Sequence, residues 1–208
     1  MSKESQFWDK IATKYSLTPV SNEEAYRLKL KQTEEILKPH FQMLEIGCGT
    51  GTTALYQSKK LKKILATDIS QNMIDIAKRK QIEQNCENVE FSCLSVDEIE
   101  FTENSYDVIA AHSFLHLVED KKEVLDKCYK ALKPGGYLIT STACIGDFLP
   151  FLKWITPLAH RFNFLPLIKV FKKKELENDL ESLGFKEIQN WRPFKTENVF
   201  IISQKLEA

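Results

Sequence analysis

The stretch Met43-Leu44-Glu45-Ile46-Gly47-Cys48-Gly49-Thr50-Gly51-Thr52-Thr53 places three of the chain's seven glycines within five residues. An apolar run leads into them and helix-compatible residues follow. Removing the side chain at every second position lets a partner lie directly against the peptide groups. Residues 41–46 therefore read as a short buried strand that bends through the glycines into a helix over 52–60.

The same alternation continues outward. Helices are expected over 4–15 and 22–38, the second ending at Pro39, as an N-terminal helical lead-in spanning 1–40. Residues 63–68 (KILATD) form a second strand, 71–84 a helix and 89–93 a third strand. Residues 106–111 (YDVIAA) have the unbroken apolar character of a parallel strand covered on both faces. A helix over 121–132 is stopped by Lys133-Pro134-Gly135-Gly136, a turn of strong breakers. Residues 137–141 give a fifth strand, 173–183 a helix closed by Gly184, and 185–191 with 198–203 two final strands close enough for a hairpin. Strands alternating with helices imply right-handed crossovers. The expected fold is α/β: a Rossmann-like, seven-stranded, mostly parallel sheet with helices on both faces and one reversed strand near the C-terminus. In such sheets ligands bind beyond the carboxyl ends of the strands, where the glycines lie.

Spacing discriminates between ligands. A dinucleotide loop is GxGxxG, whereas here Gly47-x-Gly49-x-Gly51 puts Thr52 in the third slot. A phosphate-binding Walker loop needs a lysine that this loop lacks. Glu45 directly before the glycines suits a ligand carrying positive charge. Asp68, 17 residues after Gly51 at the end of the second strand, can accept both hydroxyls of a ribose. Strand, glycine loop, helix, strand and acid together are far more specific than any one of them. Alone, an acid at a strand end is more often a helix cap.

Composition narrows the classes further. The 208 residues, 43% hydrophobic and 28% charged, fit one globular domain over 1–208. Twenty-nine basic residues balance 29 acidic ones, which gives no global attraction to nucleic acid or membrane. Cysteines 48, 86, 93, 128 and 144 form no CxxC pair and no metal-like cluster with the four histidines, so no metal is expected and reduced thiols are. The start, MSKESQFWDK, lacks the apolar core of a signal peptide, which points to the cytoplasm.

Leu44-Glu45-Ile46-Gly47-Cys48-Gly49-Thr50-Gly51 resembles the first motif of class I S-adenosylmethionine-dependent methyltransferases. The likeness is to the small-molecule branch that includes quinone-biosynthesis enzymes (methyltransferase type 11). Phe7-Trp8-Asp9 with Ala12 and Tyr15 is similar to that branch's lead-in helix. Asp68-Ile69-Ser70 with Met73 is similar to the second motif, in which the acid holds the ribose and the apolar residues flank adenine. Asn104-Ser105-Tyr106-Asp107-Val108-Ile109, Leu115-His116 with Asp120, and Leu132-Lys133-Pro134-Gly135-Gly136 extend the resemblance to about residue 142. It implies S-adenosylmethionine as methyl donor and S-adenosylhomocysteine as product. It also implies a cofactor site of Tyr15, Glu45, Gly47, Cys48, Gly49, Gly51, Asp68, Ile69, Met73, Ser95, Val96 and Ala111. One position departs: where the family often has Asp beside the adenine amino group, this chain has Ser95 and then Val96, with Asp97 as the other register.

In-line methyl transfer asks the protein mainly for alignment and exclusion of water. A base helps only if the acceptor has a proton to lose. His112 and His116 are the candidates for that base; both also read as structural or cofactor-shell residues. Tyr15 either closes over the methionine end of the cofactor or packs the first helix on the core. Cys48 reads as a small buried residue. Ala110-Ala111-His112-Ser113 stands where enzymes that methylate base amino groups carry an Asn/Asp-Pro-Pro-Tyr-like loop. With no basic domain beyond Lys172-Lys173-Lys174, nucleic acid is not the expected substrate.

Residues 148–171 hold five of the 13 phenylalanines, three of the seven prolines and no acid. Lys153, Arg161, Lys169 and the prolines interrupt them, so they do not read as a membrane span. The insertion over 145–172 is expected to form an apolar lid over the site of a small, apolar or aromatic acceptor. Residues 148–171 also suit peripheral membrane contact. The plainer reading is a helical pair packed on the domain or on a second subunit, the chain being a monomer or homodimer. Two rival functions remain: a non-catalytic S-adenosylmethionine-binding module, and an NAD-dependent oxidoreductase, against which the glycine spacing speaks.

Overall fold

The structure is a computed structural model that describes residues 2–162, 164–193, 196 and 198–207. They fall into two compact units, divided between Glu100 and Phe101.

The first unit contains α1 (Lys3–Leu17), α2 (Glu23–Ile36), β1 (Gln42–Ile46), α3 (Thr52–Gln57), β2 (Lys63–Asp68), α4 (Gln71–Glu83) and β3 (Val89–Cys93). Its strands lie in the order β3-β2-β1, all parallel, with Leu44 opposite Leu65 and Ala66 opposite Phe91. Met43, Leu44, Ile46, Ile64 and Ala66 are buried, as continuous apolar runs of parallel strands require. The helices start where polar side chains cap them: Asn22 accepts from the Ala25 N–H, and Ser70 from the Met73 N–H. α2 stops at Ile36, two residues before the expected end. Leu37 is already extended, and proline at 39 disfavours helix at the residue before it. The helix expected over 52–60 divides into α3 and a 3-10 turn, Ser58–Lys60. Ala12 of α1 packs with Met73 and Ile76 of α4, and Trp8 covers that cluster.

The second unit contains β4 (Tyr106–His112), α5 (Lys121–Ala131), β5 (Leu132–Ala143), α6 (Leu152–Arg161), α7 (Lys173–Ser182), β6 (Phe185–Trp191) and β7 (Asn198–Lys205). Its order is β4-β5-β7-β6: β4 and β5 are parallel, and β7 runs against both neighbours. That is the reversed strand expected near the C-terminus, and the seven strands give the Rossmann-like α/β class. β5 begins earlier than expected. Leu132 pairs with Tyr106 and Tyr137 with Val108, so Lys133–Gly136 bulge out opposite Asp107. The bulge is held by Lys133 Nζ, 2.9 Å from both Asp107 carboxylate oxygens. The breakers thus interrupt the pairing, as their chemistry demands, without ending the strand.

Candidate functional site

The glycine loop leaves β1 and is tied at once to the end of β2, where the Cys48 N–H donates to the Thr67 carbonyl at 2.8 Å. Gly49 and Gly51 both take left-handed φ, +54° and +73°. Their surroundings differ. A Cβ at Gly51 would lie 2.6 Å from the Phe91 ring and 2.8 Å from the Ala77 Cβ, so this glycine is imposed by β3 and α4 packing from below. At Gly49 a Cβ would meet only the Tyr15 ring, at 3.7 Å. There the backbone direction requires glycine, and the Tyr15 ring lies at ordinary contact distance.

Asp68 is the node that organises the loop. Its Oδ2 accepts the Gly49 N–H at 2.8 Å and its Oδ1 the Ser70 N–H at 2.9 Å. The Ile69 N–H also acts on this carboxylate, which has about four acceptor positions, so acceptor capacity remains beyond these backbone donors. Ser70 continues the network: its hydroxyl donates to Asp9 Oδ1 at 2.6 Å, and the same oxygen accepts the Asn72 N–H at 3.0 Å. α1 is thereby fastened to the start of α4. Tyr15, one turn and a half further along α1, sets its ring edge-to-face on Trp8 at 6.4 Å and keeps half its surface exposed. Opposite, Lys80 Nζ bonds the hydroxyls of Thr50 and Thr52 at 2.9 and 3.0 Å, bracing the far side of the loop.

Three acids and few cations make this region receptive to positive charge. Glu45 is 2% exposed, and its Oε2 has no hydrogen-bond partner among the described residues. Burial, with Asp68 adding to it, pushes its carboxyl up to about 8. Burial also raises Asp68; the Ser70 and Gly49 N–H groups oppose that rise and Asp9 adds to it. Burial raises the Tyr15 hydroxyl, and raises the Cys48 thiol well above its usual range. Such burial favours the protonated thiol.

The remaining sequence candidates in the first unit are placed less simply. Ile69 is half-buried, whereas Met73, 2% exposed, is turned into the cluster beneath Trp8. Ser95 and Val96 are half-buried and Asp97 is exposed. Both the backbone N–H and the hydroxyl of Ser95 donate to Glu98 Oε2, each at 2.8 Å, and hold the Glu98 carboxyl below its usual range. In the second unit, Ala111 is buried opposite Thr140, and His112 ends β4 opposite Ser141 with both ring nitrogens shielded from solvent. Ser113 then turns with φ +53°. His116 is half-buried in the 3-10 turn Leu115–Leu117, and its carbonyl accepts the Lys169 N–H at 2.8 Å. Among the described residues, no three His, Cys, Asp or Glu side chains are grouped to hold a metal ion.

Residues 44–140 match the family described as methyltransferase domain. Over that stretch the chain is similar to class I S-adenosylmethionine-dependent methyltransferases. It is similar to the ubiquinone biosynthesis O-methyltransferase of Coxiella burnetii, 27% identical over 180 residues that cover 82% of this chain and 76% of that protein. It is also similar to phosphoethanolamine N-methyltransferase 1 of Triticum aestivum, 29% identical over 153 residues that cover 73% of this chain and 30% of that protein. The chain thus spans under a third of the length of the phosphoethanolamine enzymes it matches. The crystal structure of a geranyl diphosphate C-methyltransferase from Streptomyces coelicolor has the same fold, with TM-score 0.73 and 14% identity over 88% of this chain and 79% of that one.

A methyltransferase domain of this class takes a cofactor with a sulfonium, an ammonium and a ribose, and the residues present fit such a group. Asp68 retains acceptor capacity for hydroxyls. The orphaned, buried Glu45 oxygen lacks a donor. Three groups of this region escaped the reading of the sequence. Asp9 and Ser70 are 61 residues apart, so their bond has no local signature. Lys80 reaches the loop from one helical face of α4, which resembles any solvated lysine position. Glu98 lies three residues from Ser95, a spacing that only the turn geometry makes meaningful.

Proposed function

We propose that this chain transfers the methyl group of S-adenosylmethionine to a small acceptor, leaving S-adenosylhomocysteine. The observation that carries this reading is the Asp68 node. One carboxylate binds the glycine loop through Gly49 and the start of α4 through Ser70, and keeps acceptor capacity for a ribose hydroxyl. When bound, the cofactor supplies a methyl group on a positively charged sulfur, which takes the electron pair of the broken bond as the acceptor's lone pair forms the new one. The chain's own part is to hold and to exclude. Gly47, Cys48, Gly49 and Gly51 offer peptide groups to the amino-acid tail, Glu45 meets its ammonium, and Tyr15 covers it. Ile69 and Val96 border adenine. Glu98, brought to Ser95, supplies the carboxylate for the adenine amino group that residue 95 itself lacks.

The acceptor in this reading is apolar or aromatic. The apolar insertion over 145–172 supports that choice and serves as its lid. One relative is named for ubiquinone biosynthesis and the other for phosphoethanolamine, so the likeness alone does not select an acceptor. His112 or His116 removes the proton if the acceptor atom is a hydroxyl oxygen, the chemistry in the name of the Coxiella relative. The enzyme works in the cytoplasm, as monomer or homodimer, with peripheral membrane contact through 148–171 and without nucleic acid.

The test is two-step. Titration calorimetry with S-adenosylhomocysteine reads cofactor binding, and product formation over a panel of phenols, quinols and amines reads transfer. Binding with turnover of a phenol or quinol supports the proposal. Binding without any product makes the chain a cofactor-binding module, and turnover of polar amines alone removes the apolar acceptor. The pH profile of His112→Gln against His116→Gln identifies the base: the base variant loses the pH-dependent limb of kcat, and the other keeps it.

A further inference from the structure

Residues 148–165 leave nine large apolar side chains substantially exposed, among them Phe151, Trp154 at 76%, Leu158, Phe162 and Phe164 at 77%. On α6 they are not scattered. Phe151, Trp154, Ile155, Leu158 and Phe162 recur at helical spacing along one face, while Thr156 is buried on the other and Leu152 and Ala159 are half-buried beside it. A helix that packs through one face and presents an apolar stripe through the other is short of a partner.

The base of this segment is fastened. The Gly146 N–H donates to the Phe171 carbonyl at 3.0 Å, and a Cβ at Gly146 would lie 2.7 Å from the Phe171 backbone carbon. Asp147 pairs with Arg192 and accepts the Lys173 N–H at 3.2 Å. The two ends of the excursion are pinched together, so α6 stands on a braced stem.

Charge selects the occupant. From 148 to 174 the chain has Lys153, Arg161, Lys169, Lys172, Lys173 and Lys174 and no acid. Lys169 is paired with Glu119, and Lys173 and Lys174 lie beside Glu177, which leaves Lys153 and Arg161 as the charges flanking the stripe on α6 itself. Lys153 Nζ sits over the exposed Trp154 ring at 5.2 Å. A second copy of this chain, docked stripe to stripe in a two-fold interface, would face basic residues with basic residues. An anionic bilayer satisfies both halves: acyl chains take the stripe, and headgroups take Lys153 and Arg161. No helix among the described residues is long and apolar enough to cross a membrane, which leaves docking in the interface plane.

We propose that the outer face of α6 docks this methyltransferase domain on anionic lipid bilayers, with Phe151, Trp154, Leu158 and Phe162 inserted and Lys153 and Arg161 at the headgroups. This deepens the membrane contact of the proposed function and gives an apolar acceptor a direct route from the bilayer. It stands apart from cofactor binding.

Co-sedimentation with vesicles of phosphatidylcholine alone, and of phosphatidylcholine with about a third phosphatidylglycerol, tests it on the full chain. The expected result is binding to the anionic vesicles roughly ten-fold or more tighter than to the neutral ones, with a blue-shifted Trp154 emission in the Trp8→Phe/Trp191→Phe background. Trp154→Ser/Leu158→Ser abolishes binding, and Lys153→Glu/Arg161→Glu abolishes the preference for anionic lipid. All these substitutions are judged only in variants that keep the far-ultraviolet spectrum and S-adenosylhomocysteine affinity of the parent, which also separates failure of docking from failure of the cofactor reading. No binding to either vesicle overturns the proposal. Equal binding to both overturns the charge assignment. A dimer in light scattering that Trp154→Ser/Leu158→Ser dissociates, without vesicle binding, overturns it in favour of a second copy.

Discussion

The glycine loop and residues 148–165 solve opposite problems. Around the loop, acids are taken out of water: Glu45 is buried with an oxygen that lacks a partner, and Asp68 is wrapped by backbone donors. Along α6, aromatic and aliphatic side chains are left in water on a stem that is itself well bonded. Burying a carboxylate and exposing a row of large apolar groups both cost free energy in isolation. In the proposed reading each cost is removed by a different kind of partner, a cation with hydroxyls for the first region and an apolar, anionic surface for the second.

The largest effect that can break this comparison is steric. Gly51→Ala adds a Cβ against Phe91 and Ala77 in a left-handed conformation and is expected to destabilise the fold by about 2–5 kcal/mol in urea titration. Gly135→Ala, at a similar φ of +77° but facing only the Glu207 side chain at 3.3 Å, is expected to cost about 1 kcal/mol. Equal losses at the two sites would mean that Gly51 is chosen for its dihedral angle alone.

Next is the buried acid. Folding raises the Glu45 carboxyl from 4.5 to about 8, so between those values the folded chain holds a proton that the unfolded chain has lost. Stability contributed at this position therefore falls as pH rises from 4.5 to about 8 and is flat below and above. Glu45→Gln, which cannot ionise, is expected to stabilise the ligand-free protein at pH 8 by on the order of 1–3 kcal/mol, a Tm rise of about 2–4 °C per kcal/mol, and to match the parent at pH 4. In saturating S-adenosylhomocysteine the order reverses at pH 8, because the ammonium then pairs with the carboxylate. A constant difference at every pH would place Glu45 outside any proton-linked role.

The smallest effect concerns adenine. Glu98→Gln is expected to weaken S-adenosylhomocysteine binding by about 0.5–1.5 kcal/mol, the scale of one hydrogen bond, and to leave binding of the inosine analogue, which lacks the amino group, unchanged. Equal losses for both ligands would return the adenine contact to Ser95 or Asp97.

These differences also explain what could be read from the residues alone. The parallel strands were legible because their apolar runs are continuous, and β7 was legible as a reversed strand because it follows β6 without a crossover helix. The glycine spacing and Asp68 were legible because both lie on the chain's own path from β1 to β2. Asp9 with Ser70, and Gly51 with Phe91, were not, since they are made by helices and strands distant in sequence. The early start of β5 was missed because Lys133–Gly136 has the chemistry of a terminator, and only the Lys133–Asp107 bond shows that the strand resumes across it. For α6, composition announced an excess of apolar surface; which face it occupies required the fold.

The most direct test of the cofactor site is calorimetric titration of S-adenosylhomocysteine into the parent protein and into Asp68→Ala. The Asp68 node predicts saturable, one-to-one binding that the substitution weakens by about 1–3 kcal/mol, roughly five- to 150-fold. Identical affinities in the two proteins, or tight binding of NADH in place of S-adenosylhomocysteine, would contradict it.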